Sequence, residues 1–130
     1  DVVAACGGYK AEPKKILMGG PMMGRTVTKD IFSIAPQNNG LTVLVNKPVE
    51  EVACLRCGRC TENCPSGLQP VRIAAAAKTK DMDALAKLHV MDCIECGLCT
   101  YICPSKISVT ENVRTGKRFM MMQMKKGGAK

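Results

Sequence analysis

The apolar residues of this chain change their spacing near residue 49. Before that point they come in short runs broken by turn residues: VVAAC ahead of Gly7 and Gly8, KILM ahead of Gly19 and Gly20, and IFSIA and LTVLVN on either side of NNG. The first run predicts the end of a helix, closed by a glycine in the left-handed conformation. The other three predict strands over residues 15–18, 31–35 and 41–46, with NNG as a turn. Beyond residue 49 the spacing becomes helical. Pro70 suits a first helical position, and the alanines at 74–77 favour helix strongly. Asp81 suits the cap of a second helix whose Met82, Leu85 and Leu88 share one face. The stretch from Pro70 to Asp92 therefore predicts a helical hairpin. Ser108 and Glu111 fit a capping box, and a last helix is expected through Val109 and Val113 toward Met120. Gly116 should weaken that helix, the methionines within 120–124 should pack, and the final KKGGAK should fray. The fold class is α+β: a small mixed piece over residues 1–48, then a helical domain over residues 49–130.

Composition sharpens this picture. The 130 residues include no Trp, two Tyr and two Phe. A core so poor in large rings needs another source of order, and a bound metal is the expected one. Nine cysteines would suggest disulfides in a secreted chain. No signal peptide is evident, no apolar run approaches the ~18 residues that span a bilayer, and the chain starts at Asp1 without Met. The expectation is a fragment of a longer protein in a reducing compartment, with metal-bound thiolates.

The cysteines supply the chemistry. CLRCGRCTENCPSGLQP begins at Cys54 and CIECGLCTYICPSKISV at Cys93, both reading C-x2-C-x2-C-x3-C-P at a constant offset of 39 residues. Three cysteines within seven residues wrap one corner of an iron–sulfur cubane. The fourth follows too soon to close on the same cluster and ligates the other one. Two [4Fe-4S] clusters are thus expected, one on Cys54, Cys57, Cys60 and Cys103, the other on Cys93, Cys96, Cys99 and Cys64. Gly58 and Gly97 sit where the backbone turns tightly and amide N–H groups aim at sulfur. Pro65 and Pro104 redirect the chain after the fourth cysteine, and Leu55, Ile94, Leu98, Ile102 and Ile107 should form an apolar shell. Zinc is the main rival, since two four-cysteine sites would use the same thiols. Zinc sites favour separated CxxC pairs, in which the third cysteine of each tight run has no place.

The remaining features are read more plainly. GGPMMG, at residues 19–24, fits neither the Walker nor the GxGxxG spacing and predicts a tight turn with two packed methionines. Cys6 is expected to be a buried structural thiol, and His89, in a helical pattern, a packing or surface residue. The net charge of +8 and pI of about 9.1 resemble a nucleic-acid balance, but two clusters with their thiolates would add about −4. Few aromatics are available to stack bases, so no nucleic-acid partner is expected. Lys117, Arg118, Lys125, Lys126 and Lys130 form a basic ending, either solvated or a patch for an acidic redox protein or an anionic membrane surface.

GGPMMG, a short strand region, then ACLRCGRCTENCPSGLQP and MDCIECGLCTYICPSKI in that order resemble the C subunit of the Rnf-type ion-translocating electron-transport complex. The resemblance implies that residues 1–48 end a β-grasp domain of the soluble-ligand-binding type and that residues 49–130 form an α-helical ferredoxin domain. It implies a peripheral subunit on the cytoplasmic side of the cell membrane. Its partners would be the other subunits of the complex and an acidic redox protein such as ferredoxin. The whole complex would couple electron flow between ferredoxin and NAD+ to Na+ or H+ transport. FMN and NAD(H) belong to an upstream part absent here, so no flavin or nicotinamide residue is assigned and no catalytic residue is expected. Two alternatives share the cysteine frame: the iron–sulfur part of a cobalamin-reducing microcompartment flavoprotein, and a purely structural metal module.

Overall fold

The computed structural model describes residues 2–29, 31–36, 38–46 and 49–127. The chain divides into two compact units, Asp1–Val49 and Glu50–Lys130.

The first unit opens with one helical turn, α1 (Val2–Ala5). The N–H of Gly8 donates to the Val3 carbonyl at 2.8 Å, and Gly7 and Gly8 take φ of 93° and 78°, so glycines end the helix as expected. None of its residues is buried, and Cys6 just after it is exposed. The expected buried thiol is therefore corrected: so short a helix has no face to cover it. Three strands, β1 (Lys15–Met18), β2 (Arg25–Val27) and β3 (Leu41–Leu44), form an antiparallel sheet in the order β2-β1-β3. The apolar run Ile16-Leu17 lies in the central strand, and both residues are buried.

The strand expected at 31–35 does not form. β3, the neighbour it would have joined across NNG, pairs only with β1 among the described residues, and Ile31 is left 87% exposed. The polar-looking segment Arg25–Val27 pairs instead, because the GGPMMG turn returns it directly alongside β1. Gly24 closes that turn by donating to the Gly20 carbonyl at 2.8 Å, and a Cβ there would collide with the same oxygen. Met22 and Met23 are exposed, not packed.

The second unit contains α2 (Arg59–Glu62), α3 (Pro70–Thr79), α4 (Met82–Lys87), a short 3-10 turn (Val90–Asp92), α5 (Leu98–Tyr101) and α6 (Val109–Gly127). The 39-residue offset carries α2 onto α5 and the first residue of α3 onto the first residue of α6. It also carries Arg56 onto Glu95, Gly58 onto Gly97 and Gly67 onto Lys106, all six with positive φ. The repeat is thus one of backbone as well as of cysteines. Helices α3 and α6 pack on each other around Ile73, Leu85, Val90, Val109 and Val113, each at most 1% exposed. Full burial of such a side chain contributes about 1.5–3 kcal/mol, and this core is small.

Asp81 caps α4 by accepting from the Ala84 N–H at 2.9 Å, completing the predicted hairpin. His89 lies beyond α4, exposed, in a left-handed turn. Helix α6 runs unbroken through Gly116. There α3 and α4 come so close that a Cβ would lie 3.1 Å from the Ala77 Cβ and 3.0 Å from Leu85 Cδ2. One expectation for α6 is corrected. The capping box does not form. Glu111 turns to Arg114, and Glu51 from the entry segment receives the Ser108 N–H at 2.9 Å. Met120 packs against the core, whereas Met121, Met122 and Met124 are exposed. Helix continues through Lys125 to Gly127, against the expected fraying; the last three residues of KKGGAK lie outside the described residues.

Candidate metal centre

Each cysteine frame is built the same way. The residue two after the first cysteine takes a left-handed conformation, which turns its N–H back onto sulfur. Arg56 N–H donates to Cys54 Sγ, and Glu95 N–H to Cys93 Sγ, each at 3.4 Å. The second cysteine follows, then Gly58 or Gly97 at φ of 78° or 82°, the N-caps of α2 and α5. The third cysteine sits in that single helical turn. The fourth opens a tight turn: Gly67 N–H donates to the Cys64 carbonyl at 3.0 Å, and Lys106 N–H to the Cys103 carbonyl at 3.2 Å. Pro65 and Pro104 occupy the second position of these turns, which suits their fixed φ. The chain then enters α3 or α6.

This path brings the thiols together in two cavities. Cys54, Cys57 and Cys60 line one with Cys103, walled by Leu55, Val71, Ile107 and Val109. Cys93, Cys96 and Cys99 line the other with Cys64, walled by Leu68, Ile73, Ile94, Leu98 and Val113. Leu55 and Ile94 wall the cavities yet remain 66% and 59% exposed, so the expected apolar shell is open at these corners. Among the described residues no three Cys, His, Asp or Glu converge closely enough to hold a single metal ion. Four thiols around an apolar cavity, with backbone N–H groups directed at sulfur, fit a cubane cluster.

The two cavities differ in their surroundings. Cys54 and Cys57 are exposed, whereas every cysteine of the second frame is partly buried. Glu95 receives Arg114 Nε at 3.0 Å and Lys117 Nζ at 3.3 Å, and Lys117 also donates to the Cys93 carbonyl at 2.6 Å. Burial works against ionisation of Glu95, but the hydrogen bonds and charges of Lys117 and Arg114 outweigh it and hold the carboxyl below its ordinary range. Lys117 is thus no part of a solvated ending. Burial pushes the Cys99 thiol up, against a hydrogen bond from Thr110. Ligation would displace that proton.

Glu95, Thr110 and Arg114 are not singled out by the sequence, and Lys117 is read there only as part of a basic ending; the four are not linked. Thr110, Arg114 and Lys117 recur at i, i+4 and i+7, one face of a helix. The offset of 39 residues pairs Thr110 with Val71 and Glu95 with Arg56, a comparison that marks these positions as unlike.

A segment of a protein from Acetobacterium woodii, named as the C subunit of a Na(+)-translocating ferredoxin:NAD(+) oxidoreductase complex, is 38% identical over 129 residues, 97% of this chain and 29% of that protein. Two proteins named as the C subunit of an ion-translocating oxidoreductase complex also match. The one from Rhodobacter capsulatus is 35% identical over 70% of this chain and 18% of its own length. The one from Vibrio cholerae is 43% identical over 65% of this chain and 12% of its own. The chain spans less than a third of the length of these relatives. Among the described residues no helix is long and apolar enough to cross a membrane. The family model described as 4Fe-4S dicluster domain matches residues 47–114. With that match over half its length, and with relatives named as C subunits of ion-translocating oxidoreductases, the chain belongs to the 4Fe-4S dicluster family.

Proposed function

We propose that the chain is an electron-relay segment holding two [4Fe-4S] clusters through crossed ligand sets. Cys54, Cys57, Cys60 and Cys103 hold one, and Cys93, Cys96, Cys99 and Cys64 the other. The observation that carries this reading is the exchange of the fourth cysteine, since each cavity is lined by three thiols of one repeat and one thiol of the other. A zinc tetrahedron would draw its four thiolates to about 2.3 Å from one ion, whereas these thiols surround a cavity. When bound, such clusters supply one-electron transfer without bond making. The protein's own residues do the rest. The Arg56 and Glu95 amides donate to sulfur, the apolar walls limit the access of water, and α3 and α6 hold the two frames together.

The relatives' names support a place in a membrane-bound complex that couples ferredoxin and NAD+ redox chemistry to Na+ or H+ transport. In this reading the chain is peripheral, on the cytoplasmic side, and its partners are the other subunits and an acidic ferredoxin. FMN and NAD(H) would bind elsewhere in the full-length protein. The domains are residues 1–48, part of a β-grasp fold, and 49–130, a helical ferredoxin. The test is electron paramagnetic resonance of the reduced, anaerobically prepared protein with iron and sulfide counted. Two interacting [4Fe-4S] signals are expected. Zinc without iron would end the proposal, and bound iron that no reductant reaches would favour a structural module.

A further inference from the structure

We propose that Thr110 raises the reduction potential of the cluster in the second cavity and so makes the two sites unequal. This rests on the relay reading above and adds a residue that sets the potential of one site.

The geometry is a short chain of hydrogen bonds. The Thr110 N–H donates to Thr100 Oγ1 at 2.8 Å, and the Thr100 hydroxyl donates back to Thr110 Oγ1 at 2.8 Å. With its oxygen already accepting, the Thr110 hydroxyl proton is left to Cys99 Sγ, 3.3 Å away. A ligating thiolate has no proton, so in the loaded protein the hydroxyl is the donor and sulfur the acceptor. Thr110 is 5% exposed, so water competes little for that proton.

One-electron reduction by a low-potential donor makes or breaks no bond. It takes a cluster with its four thiolates from about −2 to about −3. The added charge spreads onto sulfur, and a donor already aimed there stabilises the reduced form more than the oxidised one. The potential rises accordingly. Lys117 acts in the same direction from the same helix, through its bond to the Cys93 carbonyl.

The first repeat lacks this device. The residue 39 positions before Thr110 is Val71, which lines the first cavity with Cys60. Its methyl groups donate nothing. Thr61, the counterpart of Thr100, is present without the second hydroxyl. The chain therefore carries its own control: the same cysteine frame with and without the donor.

The experiment is a redox titration of the iron-loaded full chain, followed by electron paramagnetic resonance. The second-cavity signal is identified as the one lost in Cys96→Ala. Thr110→Val should lower its reduction equilibrium constant about tenfold, about 59 mV for one electron, with the first cluster unmoved. Thr110→Ser, which keeps the hydroxyl, should retain the parental value. Where Thr110→Val does not fold, Val71→Thr decides: it should raise the potential of the first cluster. An unmoved midpoint in the deciding variant overturns the proposal, as does an equal shift in Thr110→Ser. Parental protein without iron would overturn the relay reading as well, whereas two loaded clusters with an unmoved midpoint overturn this inference alone.

Discussion

Arg56 and Glu95 stand at one position of the two repeats, with φ of 54° and 56°, and meet different fates. Arg56 is exposed beside exposed cysteines. Glu95 is gripped by Arg114 and Lys117 from α6. A non-glycine residue in this conformation costs about 1–2 kcal/mol, and both repeats bear that cost at the same place. The shared strain belongs to the frame, because it turns an N–H onto the first cysteine sulfur. What surrounds the frame is free to differ. The first repeat meets solvent, and the second is held from behind by a long helix. Two sites with one backbone and unlike surroundings suit a relay whose steps must differ in potential.

The largest way to break the comparison is to remove what both frames are proposed to hold. The buried core of the second unit is a few mid-sized aliphatic side chains, too little to fix two ligand loops that carry strained residues. Chelation of iron under oxidising conditions should abolish most of the helical circular dichroism. The sheet of the first unit, whose strands carry no cysteine, should persist. An apo form that still unfolds cooperatively through its helices would show that α3 and α6 suffice without metal.

The next effect is local to one cavity. Cys64 belongs to the first repeat in sequence and lines the second cavity in space. Cys64→Ala should convert the second cluster to a three-iron species or eliminate it, leaving the first spectrally intact. Cys96→Ala should strike the same cluster, and Cys57→Ala the other. If Cys64→Ala instead reproduces the Cys57→Ala spectrum, each repeat is self-contained and the exchange is wrong.

How much of this is legible in the sequence follows from the kind of signal involved. The paired cysteines, Gly58, Gly97, Pro65 and Pro104 act through backbone and ligand spacing, which a sequence displays directly. The hairpin from Pro70 to Lys87 is legible through its cap and its apolar face. Residues 31–35 mislead because strand propensity does not secure a pairing: the outer edge of β3 takes no strand partner among the described residues. Ser108 and Glu111 mislead because a capping box is a local pattern, and Glu51, 57 residues earlier, reaches the same amide. Lys117 reads as a solvated tail residue because its partners, Glu95 and the Cys93 carbonyl, lie more than 20 residues away. Local chemistry is readable; competition from distant segments is not.

A third test sharpens the comparison at the helix crossing. Gly116 and Ala77 are counterparts under the 39-residue offset, and they meet where α6 crosses α3. Gly116→Ala sets a gain in helix propensity of about 1 kcal/mol against two contacts of 3.0–3.1 Å, so its net effect should be small. Gly116→Val adds branched bulk against the Ala77 Cβ, which cannot swing away. It should destabilise by about 1–3 kcal/mol in denaturant unfolding of the loaded protein. Equal stability of Gly116→Val and parent would mean that the helices separate at no cost and the two frames are not rigidly coupled.

The smallest expected effect concerns how the first frame is tied to the second before its cysteines begin. Glu51 accepts from Ser108, the residue just before α6, and Val52 N–H donates to the Ser105 carbonyl at 3.1 Å. The Ser105 hydroxyl donates to the Ala53 carbonyl at 3.0 Å, next to Cys54. Hydrogen bonds from the Ser108 hydroxyl and then its N–H hold the Glu51 carboxyl below its ordinary 4.5. A lowered carboxyl contributes stability above the ordinary value and loses it as pH falls through the lowered one. A carbon-13 titration of the Glu51 carboxyl should therefore show a midpoint below 4.5. Ser108→Ala, which removes the larger of the two bonds, should move that midpoint upward. The stability difference between parent and Glu51→Gln, present at neutral pH, should shrink as the carboxyl protonates. Because Glu51 is fully exposed, solvent screens the bond and the difference should be slight. A midpoint at the ordinary value, indifferent to Ser108→Ala, would mean that the segment ahead of Cys54 is not tied to α6 by this carboxylate.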